Sequence, residues 1–219
     1  MPKRRGKGNK QLKPILHIFC EGEKTEPNYL KGYLQKFHSG SRLLKVVKVE
    51  KTNKNTPVQL VEEAIKRKRD KNTPDKDVFW VVYDREAQSK YPDELHKKAL
   101  KSATSADISV ALTNICFEVW LLLHFCDLTA CYSSCTDLLK NSSLKAELKK
   151  IGILKYDKSD NALFDLISNN IPDARRRAGR MNQATLNSSY NTEENPHLLN
   201  PYTAVHKLLD AIDCFVKGN

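Results

Sequence analysis

No stretch of this chain stays apolar long enough to cross a bilayer. A spanning helix needs roughly 20 such residues, and the longest candidate, Val119 to Phe125, is broken by His124. The first ten residues carry five basic groups with no apolar segment directly behind them, so a secretory leader is not expected. Six cysteines occur (Cys20, Cys116, Cys126, Cys131, Cys135 and Cys214), and no two form a Cys-x-x-Cys pair. That spacing argues against a zinc site and for reduced thiols in a cytoplasmic protein. There is no Gly-x-x-x-x-Gly-Lys-Ser/Thr loop, so the chain is not itself a P-loop ATPase. Gly6-Lys7-Gly8 has no strand before it and is not a dinucleotide loop. No elbow motif supports Ser-His-Asp catalysis. Internal repeats and a heptad register are also missing.

What is present is basic charge and a real core. The 219 residues fit one large domain, or one core with an appended part. A hydrophobic content of 40% excludes a disordered chain. The formal net charge of +11 points to a polyanionic partner, nucleic acid first and an acidic membrane surface second. The plain alternative is that the charge serves solubility.

The pattern along the chain is alternating strand and helix. Residues 1–14 read as a flexible basic arm. Ile15–Cys20, Leu43–Glu50, Asp77–Tyr83 and Ile108–Thr113 read as strands, the second at an edge because lysines interrupt it. Between them lie a helix from a capping Thr25 to Phe37, a second from about Pro57 to Arg69 capped by Thr56, and a third from about Pro92 to Ala103. Phe117–Phe125 follows as an apolar helix. This is an α/β core over residues 15–126 with a mostly parallel four-stranded sheet flanked by helices. Residues 127–219 show no convincing strand and read as a helical C-terminal part packed on that core. Its expected helices are Cys135–Lys150, Asn161–Asn169, Asp173–Gln183 and Pro201–Val216, the last opened by Asn200-Pro201.

Right-handed crossovers bring all parallel strand ends to one side, where ligands of such sheets bind. Glu21, Asp84, Glu86, Asn114 and Glu118 all fall just past strand ends. Carboxylates gathered there repel one another unless protonated, paired with basic groups or bound to a hard cation. Oxygen donors without His or Cys suit Mg²⁺ or Mn²⁺. Acids at strand ends also cap helices or pair with lysines, and the spacing leaves both readings open. In the last hundred residues, Arg175, Arg176, Arg177 and Arg180 are the best phosphate contacts, with an arginine–carboxylate network as the alternative. His124 reads as a packed histidine.

Three blocks carry a resemblance. They are Phe19-Cys20-Glu21-Gly22-Glu23-Lys24-Thr25-Glu26-Pro27-Asn28-Tyr29, Leu112-Thr113-Asn114-Ile115-Cys116-Phe117-Glu118-Val119-Trp120-Leu121-Leu122-Leu123-His124-Phe125, and Asn200-Pro201-Tyr202-Thr203-x-Val205. Together they resemble the RloB / AbiLii family of phage-defence proteins. That family looks like a divergent Toprim domain, related to the nuclease half of overcoming-lysogenization-defect proteins. The resemblance implies a Toprim-like fold and Mg²⁺ held by Glu21 with Asp84 and Glu86, which would also be catalytic. Glu118 is implied as an additional ligand, Glu23 as a weaker one, and Lys24 as a phosphate contact. It further implies cleavage of DNA or tRNA and a separately encoded ABC/SMC-like ATPase partner; a homodimer is compatible with the helical part. Two positions depart from the family pattern. Glu86 stands where Toprim cores have a second Asp, and Ile115 where the family has Pro. These departures motivate a second reading, a non-catalytic nucleic-acid-binding or regulatory subunit.

Overall fold

The computed structural model describes residues 13–39, 47–50, 52, 56–160 and 162–218. Most of the basic arm, the start of the second expected strand and the Asn53–Asn55 loop lie outside the described residues.

The alternation predicted over the first half is realised. In order come β1 (Leu16–Cys20), α1 (Thr25–Phe37), β2 (Val47–Glu50), α2 (Pro57–Lys68), β3 (Val78–Asp84), α3 (Asp93–Ser105), β4 (Ser109–Asn114) and α4 (Glu118–Leu123). Strands β2, β1, β3 and β4 lie side by side in that order, all parallel, with β2 at the edge. Alternate residues of each strand go to opposite faces. Leu16, Ile18, Val82 and Ala111 share one apolar cluster with α1, α4 and residues of the C-terminal half. Phe19, Val81 and Leu112 share the other with Leu60, Val61 and Ala64 of α2 and Ala99 and Ala103 of α3. Both faces of the sheet are therefore covered, which is why its central strands are mostly apolar; the buried His17 of β1 is satisfied by Glu50 and Asp77.

The caps differ from one another. Thr56 caps α2 as expected, its hydroxyl accepting from the Gln59 N–H at 3.3 Å. Thr25 does not cap α1. It is the first helical residue, and its hydroxyl donates to the Lys158 carbonyl.

The C-terminal half corrects the sequence reading in three places. The expected helix Cys135–Lys150 is two helices, α5 (Cys135–Asn141) and α6 (Leu144–Lys150), parted at Ser142-Ser143. After α7 (Leu163–Ile167) a 3₁₀ turn leads into α8 (Ile171–Asn187), longer at both ends than expected. The sheet also has a fifth strand, so it is not four-stranded. Tyr202–Thr203 forms β5, antiparallel to β4. Asn200-Pro201 opens this strand rather than a helix; its peptide bond is cis, and α9 (Val205–Lys217) begins later. A two-residue strand survives because both its edges are paired. On one side Thr113 and Thr203 hydroxyls meet at 2.9 Å. On the other, the Asn182 side chain of α8 donates to the Thr203 carbonyl and accepts from its N–H. Among the described residues no helix is long and apolar enough to cross a membrane.

Candidate active site

The carboxyl ends of β1 and β3 open into a cleft of about 480 Å³ lined by Glu21, Gly22, Glu23, Lys24, Thr25, Glu26, Asp84, Glu86, Lys90, Tyr91 and Lys158. Parallel pairing alone brings the two strand ends together, because Cys20 stands beside Val82. The Glu21 N–H continues the ladder to the Val82 carbonyl. The Glu21 side chain then accepts from the Asp84 N–H through Oε2 at 3.2 Å.

Gly22 lets a further acid approach. A methyl group at residue 22 would collide with the carboxyl of Glu26, which curls back from the first turn of α1. Glu26 is almost fully buried, and its carboxyl accepts from its own N–H. An acid in the first turn also suits the positive end of the helix.

Glu86 is positioned by the turn after β3. The Arg85 N–H bonds to the Thr113 carbonyl and the Glu86 N–H to the Ile115 carbonyl, so the turn extends the β3–β4 pairing. Glu86 adopts φ of +57°, a conformation unfavourable for residues with a Cβ. The buried Arg85 holds it there. Its guanidinium pairs with Asp93 at 2.6 Å and donates to the carbonyls of Glu86, Tyr91 and His197. Lys90 then pairs with Glu86 at 2.8 Å.

The electrostatics follow from this crowding. Burial pushes the Glu21 carboxyl up to about 7, against the pull of the Asp84 N–H and Lys90. Burial likewise raises Asp84 well above the carboxylate range, and Glu26, Glu118, Glu21 and Glu86 all push the same way. Glu26 is raised by burial and by Glu118. The lining holds five carboxyl groups against three lysines. The site therefore binds protons more tightly than free carboxylates do, or it binds a cation.

Of the acids expected from the sequence, Glu21, Asp84 and Glu86 meet in this cleft, with Glu23 and Lys24 on its rim. Glu118 is placed differently. It does not line the cleft; it is fully buried beside it, and its carboxylate is occupied by Lys158 at 3.0 Å, Tyr156 at 2.9 Å and the Cys135 thiol at 3.3 Å. Asn114 is buried and donates to the His197 carbonyl. The α8 arginines do not line the cleft either. Arg175 bridges Asp210 and Asp213, Arg176 pairs with Asp173, Arg177 donates to the Leu123 carbonyl and Arg180 pairs with Asp127. His124 is packed against Tyr29 and Trp120, as expected.

Sequence reasoning missed Glu26, Lys90, Tyr91 and Lys158. The glycine at 22 followed by an acid four residues on was a usable signal for Glu26. Lys158 had none, because it comes from beyond α6.

A family model described as RloB-like protein matches residues 16–212. No curated protein and no solved structure matches the chain. The family match covers both strands that supply the cleft and the acids at their ends, and the chain belongs to the RloB-like family.

Proposed function

We propose that this chain is a Mg²⁺- or Mn²⁺-dependent nuclease of Toprim type that hydrolyses phosphodiester bonds in DNA or tRNA. One observation carries the reading. The carboxyl ends of the adjacent parallel strands β1 and β3 bring Glu21 beside Asp84, whose N–H donates to the Glu21 carboxylate, with Glu26 and Glu86 crowding the same cleft.

The donors fit a hard divalent cation. They are all carboxylate oxygens. Burial raises the proton affinity of Glu21 and Asp84, and at Asp84 the neighbouring acids add to it, which is the kind of site a divalent cation relieves. Among the described residues, Glu21, Asp84 and Glu86 do not bring three ligand atoms within 4.8 Å. Mg²⁺ asks for no such closure, since it usually keeps several waters and binds through one or two carboxylates. Asp84 and Glu86 would hold the cation. When bound, such a cation lowers the pKa of an attacking water and neutralises charge on phosphate oxygens.

Glu21, with a pKa near neutrality and its Oε2 fixed by the Asp84 N–H, accepts the proton of the attacking water. Lys24 and Lys90 at the cleft wall hold phosphate oxygens of the substrate. The net charge of +11 draws the polyanion in. The resemblance to phage-defence proteins supports the cellular role, effector of an abortive-infection system switched by a separate ABC/SMC-like ATPase.

The second reading, a nucleic-acid-binding or regulatory subunit without turnover, also has an observation in its favour. Lys90 already pairs with Glu86 at 2.8 Å and can stand in for a cation. Purified chain, with and without the ATPase, is incubated with a DNA panel and total tRNA in Mg²⁺, Mn²⁺ or EDTA. Metal-dependent cutting that Asp84→Asn abolishes supports the nuclease. Binding without cutting in every metal, with the ATPase present, supports the second reading.

A further inference from the structure

Beside the acidic cleft lies a second group of ligand atoms of a different chemical kind. Cys116 Sγ, Cys135 Sγ and a carboxylate oxygen of Glu118 lie within 4.8 Å of one another, the only such trio among the described residues. We propose that Cys116, Glu118 and Cys135 form a binding site for a borderline-soft divalent cation of the zinc class, separate from the cleft.

The geometry suits that cation. Tetrahedral Zn²⁺ takes thiolate sulfur at about 2.3 Å and carboxylate oxygen at about 2.0 Å, which sets their mutual distance at about 3.5 Å. The Cys135 sulfur stands 3.3 Å from Glu118 Oε2, where a thiol proton now lies between them. A metal ion replaces that proton with little movement of either ligand. Cys116 and Glu118 are fully buried and Cys135 is half-buried, so the site has dry walls and a route to solvent.

The partners of the ligands are already in place. Metal-bound carboxylates are oriented by hydrogen bonds to their other oxygen. Here Glu118 Oε1 receives the Tyr156 hydroxyl at 2.9 Å and Lys158 at 3.0 Å, leaving Oε2 toward the thiol. Lys158 Nζ also approaches the Cys135 sulfur at 3.9 Å. Two thiolates and one carboxylate carry three negative charges. A divalent cation and Lys158 balance them. Binding would displace two thiol protons to solvent and tie α5 to the start of α4.

Spacing could not reveal this site. Cys116 and Cys135 are far apart in sequence, and the third ligand is a glutamate. The cleft acids have only oxygen donors, so the two sites select different ions.

The test uses the full chain, purified under reducing conditions, stripped with chelator and titrated with Co²⁺. One equivalent should produce the thiolate-to-cobalt charge-transfer band and the intense visible bands of tetrahedral Co²⁺, and Zn²⁺ should abolish both. Cys135→Ser and Cys116→Ser should each lose the charge-transfer band or weaken Co²⁺ binding at least tenfold. Cys131→Ser and Cys214→Ser, whose thiols are exposed elsewhere, should leave it unchanged. Cys135→Ser is the safer variant, because its side chain reaches the surface and its circular dichroism can be checked against the parent. A titration without charge-transfer absorption, with six free thiols counted afterwards, overturns the proposal. So does a mass two units lower under mild oxidation that shows Cys116 and Cys135 joined as a disulfide while no metal binds. Neither result bears on Mg²⁺ in the cleft.

Discussion

The backbone N–H of Asp84 donates to Oε2 of Glu21 across the seam between β3 and β1. One strand end thus orients the acid at the next. Replacing Glu21 by Gln keeps an acceptor for that N–H but removes the base. Glu21→Gln should lower cleavage at least about 100-fold without lowering the thermal midpoint. Full activity in a clean preparation contradicts the role.

The raised pKa values make stability depend on pH in a defined direction. In the folded chain Glu21 holds its proton up to about pH 7, against a reference of 4.5. The native state therefore binds more protons than the unfolded one between these values, and stability falls as pH rises through that window. For Glu21 alone the loss is about 3 kcal/mol, and Asp84 adds to it in the same direction. Urea unfolding in EDTA at pH 5 and pH 8 measures the loss. Millimolar Mg²⁺ should restore part of it at pH 8 and little at pH 5.

Gly22 and Glu26 share one space. Gly22→Ala should cost about 1–3 kcal/mol, the usual penalty for overpacking. The double variant Gly22→Ala/Glu26→Ala should recover most of that cost, because the collision is with the Glu26 carboxyl. Additive losses in a double-mutant cycle would show that the two do not interact.

Asn182 seals the outer edge of β5. Asn182→Ala leaves the Thr203 N–H and carbonyl without their side-chain partners, and should cost roughly 2–4 kcal/mol for two lost buried bonds. Denaturant midpoints compare the variant with the parent. A change under about 0.5 kcal/mol contradicts this account of the edge.

The parallel core was legible because its signals are local. Apolar runs such as Val78–Tyr83 mark strands buried on both faces, and Thr56-Pro57 marks a helix start. Glu21, Asp84 and Glu86 could be gathered on paper because parallel topology puts all strand ends at one edge. What depended on long-range contact was not legible. Tyr202–Thr203 is a strand only because β4 and Asn182 accept it, so Asn200-Pro201 resembled a helix start. Glu118 sits at the right strand end for a ligand, yet Tyr156 and Lys158 reach it from the far half of the chain. The arginines of α8 showed a basic run in sequence, and the acids that pair with them come from their own helix, from the stretch after α4 and from α9.

Divalent metal at the cleft acids is the central claim, and Mn²⁺ binding followed by electron paramagnetic resonance tests it without substrate or ATPase. The parent chain should bind one Mn²⁺ that Mg²⁺ displaces, and Asp84→Asn should weaken that binding at least about tenfold. Equal binding in the two proteins, or none in the parent at millimolar Mn²⁺, would contradict the account.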